Sequence, residues 1–182
     1  SEAEELLERV KKLTDESLRY LEENLDRLRK LVKESEDHLK DNLRKSEKRV
    51  REVIDLARRG DTTDELTERV EELLKRSEET VRDNIRKSER LLRESKENVE
   101  RLIRDNERLL REVDEELKRR NLDKDMEDKL RRLVEESRRA LEEVLKRHED
   151  LVEEVRKSND KVRKEHEELV KRVRDALREI KR

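Results

Sequence analysis

Across 182 residues the chain carries no proline and one glycine. That pair of facts bounds its fold more tightly than anything else in it. Proline stops helices, and glycine supplies the left-handed residue on which many of them end. Average proteins carry roughly 5% of the first and 7% of the second. A chain nearly without either can reverse direction only a few times. Two places read as breaks. At Arg59-Gly60-Asp61-Thr62-Thr63, Gly60 suits a left-handed helix end, and Thr62 with Glu65 has the capping-box spacing of a new start. At Arg120-Asn121-Leu122-Asp123, Asn121 fits the left-handed cap, Leu122 the apolar contact beside it, and Asp123 the next N-cap. Ser1 with Glu4 repeats the capping-box spacing at the start.

These breaks predict three helices of nearly equal length, over about 2–59, 63–120 and 124–181. At 1.5 Å per residue each would be roughly 85 Å long. Short connections between equal helices imply one all-α domain over 1–182, a long, straight, antiparallel up-down-up three-helix bundle. The composition leaves one competitor. Charged residues make up 57% and hydrophobic ones 29%, values that also favour disorder. Disorder normally goes with a large net charge, and here the net charge is -2. The apolar residues are also periodic: Leu6, Val10, Leu13, Leu18, Leu21 and Leu25 open a stripe whose steps of three and four follow one helix face. The same stripe recurs from Leu66 and from Leu130.

Within each helix the sequence repeats after eighteen residues. Ser17, Tyr20-Leu21 and Asn24-Leu25 recur as Ser35, His38-Leu39 and Asn42-Leu43. His148-Glu149-Asp150-Leu151-Val152 recurs as His166-Glu167-Glu168-Leu169-Val170, and Ser77 and Val81 recur as Ser95 and Val99. Eighteen residues make five turns of an undistorted helix, whereas a seven-residue repeat imposes a supercoil. The repeat therefore predicts straight helices.

Polar residues interrupt the stripes. They are Ser17, Asn24, Ser35, Asn42 and Ser46 in the first helix. In the second they are Ser77, Thr80, Asn84, Ser88, Ser95, Asn98 and Asn106. In the third they are Ser137, His148, Ser158, Asn159 and His166. Buried singly, each would carry an unmet hydrogen bond costing roughly 1–3 kcal/mol. Folding the chain at its two breaks brings them together instead. Residues at one height in the first two helices have numbers totalling about 122, and the third helix runs at the first helix's number plus about 122. Asn24 then shares a height with Asn98 and His148, and Asn42 with Thr80 and His166, with Asn84 one turn away. Ser17 falls with Asn106 and Ser137, Ser35 with Ser88 and Ser158, and Ser46 with Ser77. Such layers would be hydrogen-bond networks that fix register, because a vertical slip sets Asn or His against Leu. The plainer reading places some of the Ser and Asn at the stripe margin, in contact with water.

With these layers, the Ser1-Glu2-Ala3-Glu4-Glu5-Leu6-Leu7 opening, the Glu/Lys/Arg surface and the Gly60-Asp61-Thr62-Thr63 loop, the whole chain resembles computationally designed helical bundles with buried hydrogen-bond networks. The resemblance implies an ideal, very stable fold with no evolved activity. Two-helix hairpins are common in that class and usually assemble into oligomers. A three-helix single chain departs from them and leaves a homo-oligomer open. Spectrin-like three-helix repeats match less well, for want of their buried Trp.

No chemistry-bearing constellation stands out. His148 and His166 lie five helical turns apart, roughly 27 Å, and cannot share a metal ion that needs three or four ligands. The many paired carboxylates read as a solvated surface, so neither an enzyme nor a cofactor is expected. Near-neutral charge and a single aromatic, Tyr20, argue against nucleic acid. No apolar run approaches the ~18 residues of a membrane span, and no targeting signal opens the chain, which is the pattern of a soluble protein suited to cytoplasmic recombinant expression. Arg59-Gly60-Asp61 spells an adhesion tripeptide, but capping accounts for Gly60. The leading expectation is a structural scaffold that requires no partner. The alternative is a self-associating or helix-binding module, for which Leu7, Leu18, Leu25, Val32, Leu43 and Ile54 supply a second apolar column unless that column is core. Buried His148 and His166 would also allow a response to pH.

Overall fold

A computed structural model describes residues 2–60 and 64–181, apart from the side chains of residues 3, 57, 180 and 181. Three helices account for nearly all of it: α1 (Glu2–Arg58), α2 (Asp64–Arg119) and α3 (Lys124–Lys181). The first turns of all three are acidic and the last turns of α1 and α2 are basic, which suits the helix dipoles. Gly60 stops α1 with φ at 103°, the left-handed conformation that side chains disfavour. Ser1 and Thr62, the two capping-box residues of the sequence reading, lie outside the described residues.

The second break works differently from the expectation. No described residue other than glycine has positive φ, so Asn121 does not cap α2 in the left-handed form. The Arg120 amide still reaches the Glu116 carbonyl at 3.0 Å, and the chain then passes through 121–123 as an irregular segment. Asp123 accepts the Glu127 amide at 2.9 Å, the first bond of α3 and the backbone role of an N-cap. Leu122 packs on the neighbouring core. That burial holds the connection without a left-handed residue.

Contacts gather the chain into two compact units, each containing a stretch of all three helices. The first is Ser1–Arg29 with Leu91–Val152. Its core joins Val10 and Leu21 of α1 to Leu110 and Val113 of α2 and to Leu130 and Val144 of α3. Arg147 reaches Glu22 at 3.3 Å and Ser137 reaches Thr14 at 3.4 Å, so α3 runs parallel to α1. Arg138 meets Asp114 at 2.8 Å while His148 meets Ser95, so α2 runs against α3. The second unit is Lys30–Arg90 with Glu153–Arg182. There Val50 packs with Val70, Leu74 and Val173, and Leu39 with Val81, Ile85 and Val162. Chain numbers again rise together in α1 and α3 and fall in α2. Each unit is therefore an up-down-up three-helix bundle.

Apolar burial stabilises both. A fully buried Leu or Val contributes about 1.5–3 kcal/mol over its exposed state, and Val10, Val70, Val113 and Leu130 are wholly buried. The surface contributes little. Pairs such as Arg51–Glu47 (2.8 Å) and Arg76–Glu72 (3.0 Å) are exposed, and such i,i+4 pairs contribute about 0.3–0.5 kcal/mol. In the second apolar column of α1, Leu25 and Val32 are buried, and Leu7, Leu18, Leu43 and Ile54 pack on the cores. That column is core. Leu13, by contrast, leaves the core stripe in which the sequence places it and is exposed.

Candidate functional site

Each unit holds one buried Ser–His pair. In the second unit Ser77 Oγ and His166 Nε2 share a hydrogen bond of 2.7 Å, with both residues buried. In the first, Ser95 Oγ and His148 Nε2 share one of 2.8 Å, with the serine half-buried. With the imidazole proton on Nδ1, the serine hydroxyl donates to Nε2; in the other tautomer Nε2–H donates to the hydroxyl. The eighteen-residue repeat links the pairs: Ser77 recurs as Ser95, and His148 recurs as His166. Because α2 and α3 run in opposite directions, the same repeat on both helices returns one Ser to one His twice.

Burial sets the protonation state. The pKa of His148 is lowered first by burial, and Lys96 lowers it further, while Glu149 and Glu100 pull the other way. His166 is lowered by burial against the opposing pull of Glu78 and Glu167. Both rings are therefore neutral at pH 7, the state in which Nε2 can accept from serine. A groove beside His166, between α2 and α3, has apolar walls from Val81, Ile85 and Val170 and a rim that includes Arg82, Arg163 and Glu167.

The other polar residues divide by helix. Ser77, Ser88, Asn106, Ser137, His148, Asn159 and His166 of α2 and α3 are buried. Those of α1, namely Ser17, Asn24, Ser35, Asn42 and Ser46, are all half-buried, as are Thr80, Asn84 and Ser158. Asn98, placed beside His148 by the sequence reading, is exposed, and Ser95 takes that position. The two differ by three residues, or about 60° around the helix, enough to turn one side chain inward and the other to water. Thr80 and Asn106 turn back on their own helix, to the Arg76 carbonyl at 2.9 Å and the Leu102 carbonyl at 2.8 Å. Their polarity is thus met locally rather than across a layer. Ser137 finds Thr14, a buried residue the layer reading passed over. The repeat carried a signal for it: Thr14, Val32 and Val50 stand eighteen apart and all three are buried. No described buried side-chain N or O atom lacks a partner.

Among the described residues no group of three or more His, Cys, Asp or Glu is placed to hold a metal ion. Among the same residues no helix is long and apolar enough to cross a membrane.

Fold and pairs together define the class, an all-α three-helix protein with hydrogen-bonded polar side chains buried between its helices. No protein-family model matches the chain, and no curated protein matches it. Among solved structures it is similar to a computationally designed three helix bundle, at 17% identity over 98% of this chain and 85% of that one, with a TM-score of 0.48.

Proposed function

We propose that this protein is a designed structural scaffold without catalytic activity, in which buried Ser–His pairs specify how α2 and α3 align. The observation that carries the reading is the twofold occurrence of one Ser–His bond, at 2.7 and 2.8 Å, in register with the eighteen-residue repeat. An apolar stripe alone tolerates sliding, because Leu against Val packs almost as well one or two turns along. A His set against Leu instead of Ser loses its bond at a cost of about 1–3 kcal/mol, and two such losses make slipped registers unfavourable. The lack of proline and the eighteen-residue repeat within single helices support design, since natural helical repeats of about 33–47 residues are helix-pair units of another kind.

The test replaces both pairs with apolar residues of similar size: Ser77→Ala, Ser95→Ala, His148→Leu and His166→Leu together. Stability should be kept or raised, as when buried polar groups give way to packed apolar ones. Amide NMR spectra should then show more than one set of peaks for α2 and α3. A single sharp set with unchanged α2–α3 contacts would remove the specifying role.

A further inference from the structure

Within the second unit, α1 and α2 border an open groove of about 400 Å³. That lies in the lower part of the ~300–1,000 Å³ range of small-molecule sites. Three cations line it, Lys45 and Arg49 from α1 and Arg76 from α2, and no carboxylate is among the described residues that do. The eighteen-residue repeat shows how this groove came to differ from its surroundings. Asn42 and Ser77 keep the residue types of Asn24 and Ser95, and Lys45 keeps the charge of Arg27. Three other positions depart from the repeat. Ser46 stands where the other copy has Leu28, Arg49 where it has Leu31, and Arg76 where it has Glu94. Each change adds hydrogen-bond donors, two of them add positive charge, and all three fall on the one groove. Fixing helix register calls for none of these exposed cations.

The donors are largely uncommitted. Asn42 and Ser46 are half-buried and stand one turn apart on one face of α1, and neither side chain forms a hydrogen bond among the described residues. Arg49, a further turn along, forms no ion pair among them. Lys45 and Arg76 hold only their own helix neighbours, Asp41 at 3.1 Å and Glu72 at 3.0 Å. Such exposed pairs are weak and give way to a stronger anion. Thr80 is occupied, since its hydroxyl donates to the Arg76 carbonyl at 2.9 Å. Ser77 shares its 2.7 Å bond with His166 Nε2, and in the tautomer where Nε2–H donates, the serine proton is left for the groove. Neutral donors and three cations around one cleft suit a group with several acceptor oxygens and two negative charges. Leu43 and Leu73, in the same lining, suit an apolar substituent on that group.

From this we infer that the α1–α2 groove of the second unit binds the phosphate group of a small phosphomonoester with an apolar alcohol. Asn42 and Ser46 donate to the phosphate oxygens, Arg49 and Arg76 approach it from the two helices, and the alcohol lies along Leu43 and Leu73. The site adds a ligand to the scaffold and does not depend on the scaffold reading.

Amide NMR during titration with phenyl phosphate reads the site directly. At about pH 7.5 the ester is a dianion, and low salt keeps screening weak. Binding should saturate with a Kd on the order of 1 mM. Peaks of 39–49 and 73–81 should move, while those of 21–31 and 91–99, the other copy of the repeat, stay in place. Inorganic phosphate should bind several-fold more weakly, for want of the apolar contact. Arg49→Leu and Arg76→Glu give the groove the residue types of the other copy. Both positions are exposed, so the fold is kept, as circular dichroism would verify. Each should weaken binding roughly fivefold, and the two together by more than tenfold. Equal shifts in both copies of the repeat would reveal general attraction to a charged surface and overturn the proposal. An unchanged Kd in the double variant, or no saturable shift at all, would do the same. Equal affinity for inorganic phosphate and phenyl phosphate would overturn the assignment to an ester.

Discussion

Removing the Ser77 hydroxyl isolates what one buried Ser–His bond contributes. Ser77 is 8% and His166 4% exposed, with 2.7 Å between Oγ and Nε2. Ser77→Ala therefore deletes the only described partner of that nitrogen in a place water hardly reaches. A made hydrogen bond contributes about 0.5–1.5 kcal/mol, and a buried polar atom left without one costs about 1–3 kcal/mol. At pH 7.5 the ring is neutral, because burial lowers its pKa from 6.5, so no charge is stranded and the cost should stay near 2 kcal/mol. Ser95→Ala should cost less, about 1 kcal/mol, because the half-buried site lets water replace the hydroxyl. Ser77→Ala combined with His166→Leu should recover most of the loss, since both polar groups go together. The assay is urea unfolding of Ser77→Ala, His166→Leu and the double, read as a thermodynamic cycle with a coupling of about 1–2 kcal/mol. A Ser77→Ala midpoint equal to that of the parent, or a double variant no more stable than either single one, would refute the reasoning.

Three further outcomes are expected. Stability should fall on acidification: the folded-state pKa values of His148 and His166 lie below the unfolded value of 6.5, so the unfolded chain binds more protons, and the stability present above pH 6.5 is lost as pH drops towards the folded-state values. Urea midpoints at about pH 7.5 and 4.5 test this, and a loss that persists after both His→Asn replacements would assign it to other groups. Leu130→Ala, at a wholly buried position, should cost about 2–5 kcal/mol, whereas Leu56→Ala, at 46% exposure, should change monomer stability by about 0.5 kcal/mol or less; similar thermal midpoints for the two would contradict the core assignment. Gly60→Ala should cost about 1 kcal/mol through the left-handed φ of 103° alone, because nothing lies within 4 Å of the added methyl, and Gly60→Asn should recover part of that in the same melts.

Much of the fold could be read from residue order. Two breaks in a chain without proline, with periodic apolar residues between them, lead to three helices whose observed ends differ from the expected ones by at most a residue. Height along the helices was legible as well. Antiparallel connection makes it a matter of counting from the loops, and the pairs Ser77–His166 and Ser95–His148 stand within one residue of the counted heights. What counting could not supply was azimuth. Ser95 and Asn98 differ by a single turn in height yet face opposite environments, because each helix settles at the rotation that best buries its whole apolar set against two neighbours. The same collective rotation sent Leu13 outward while Thr14 was buried. It also left Asn121 without a left-handed role, since the packing of Leu122 already held that connection. Periodicity and chain reversal are properties of the sequence alone. The rotation of each helix about its own axis exists only once the other two are packed against it.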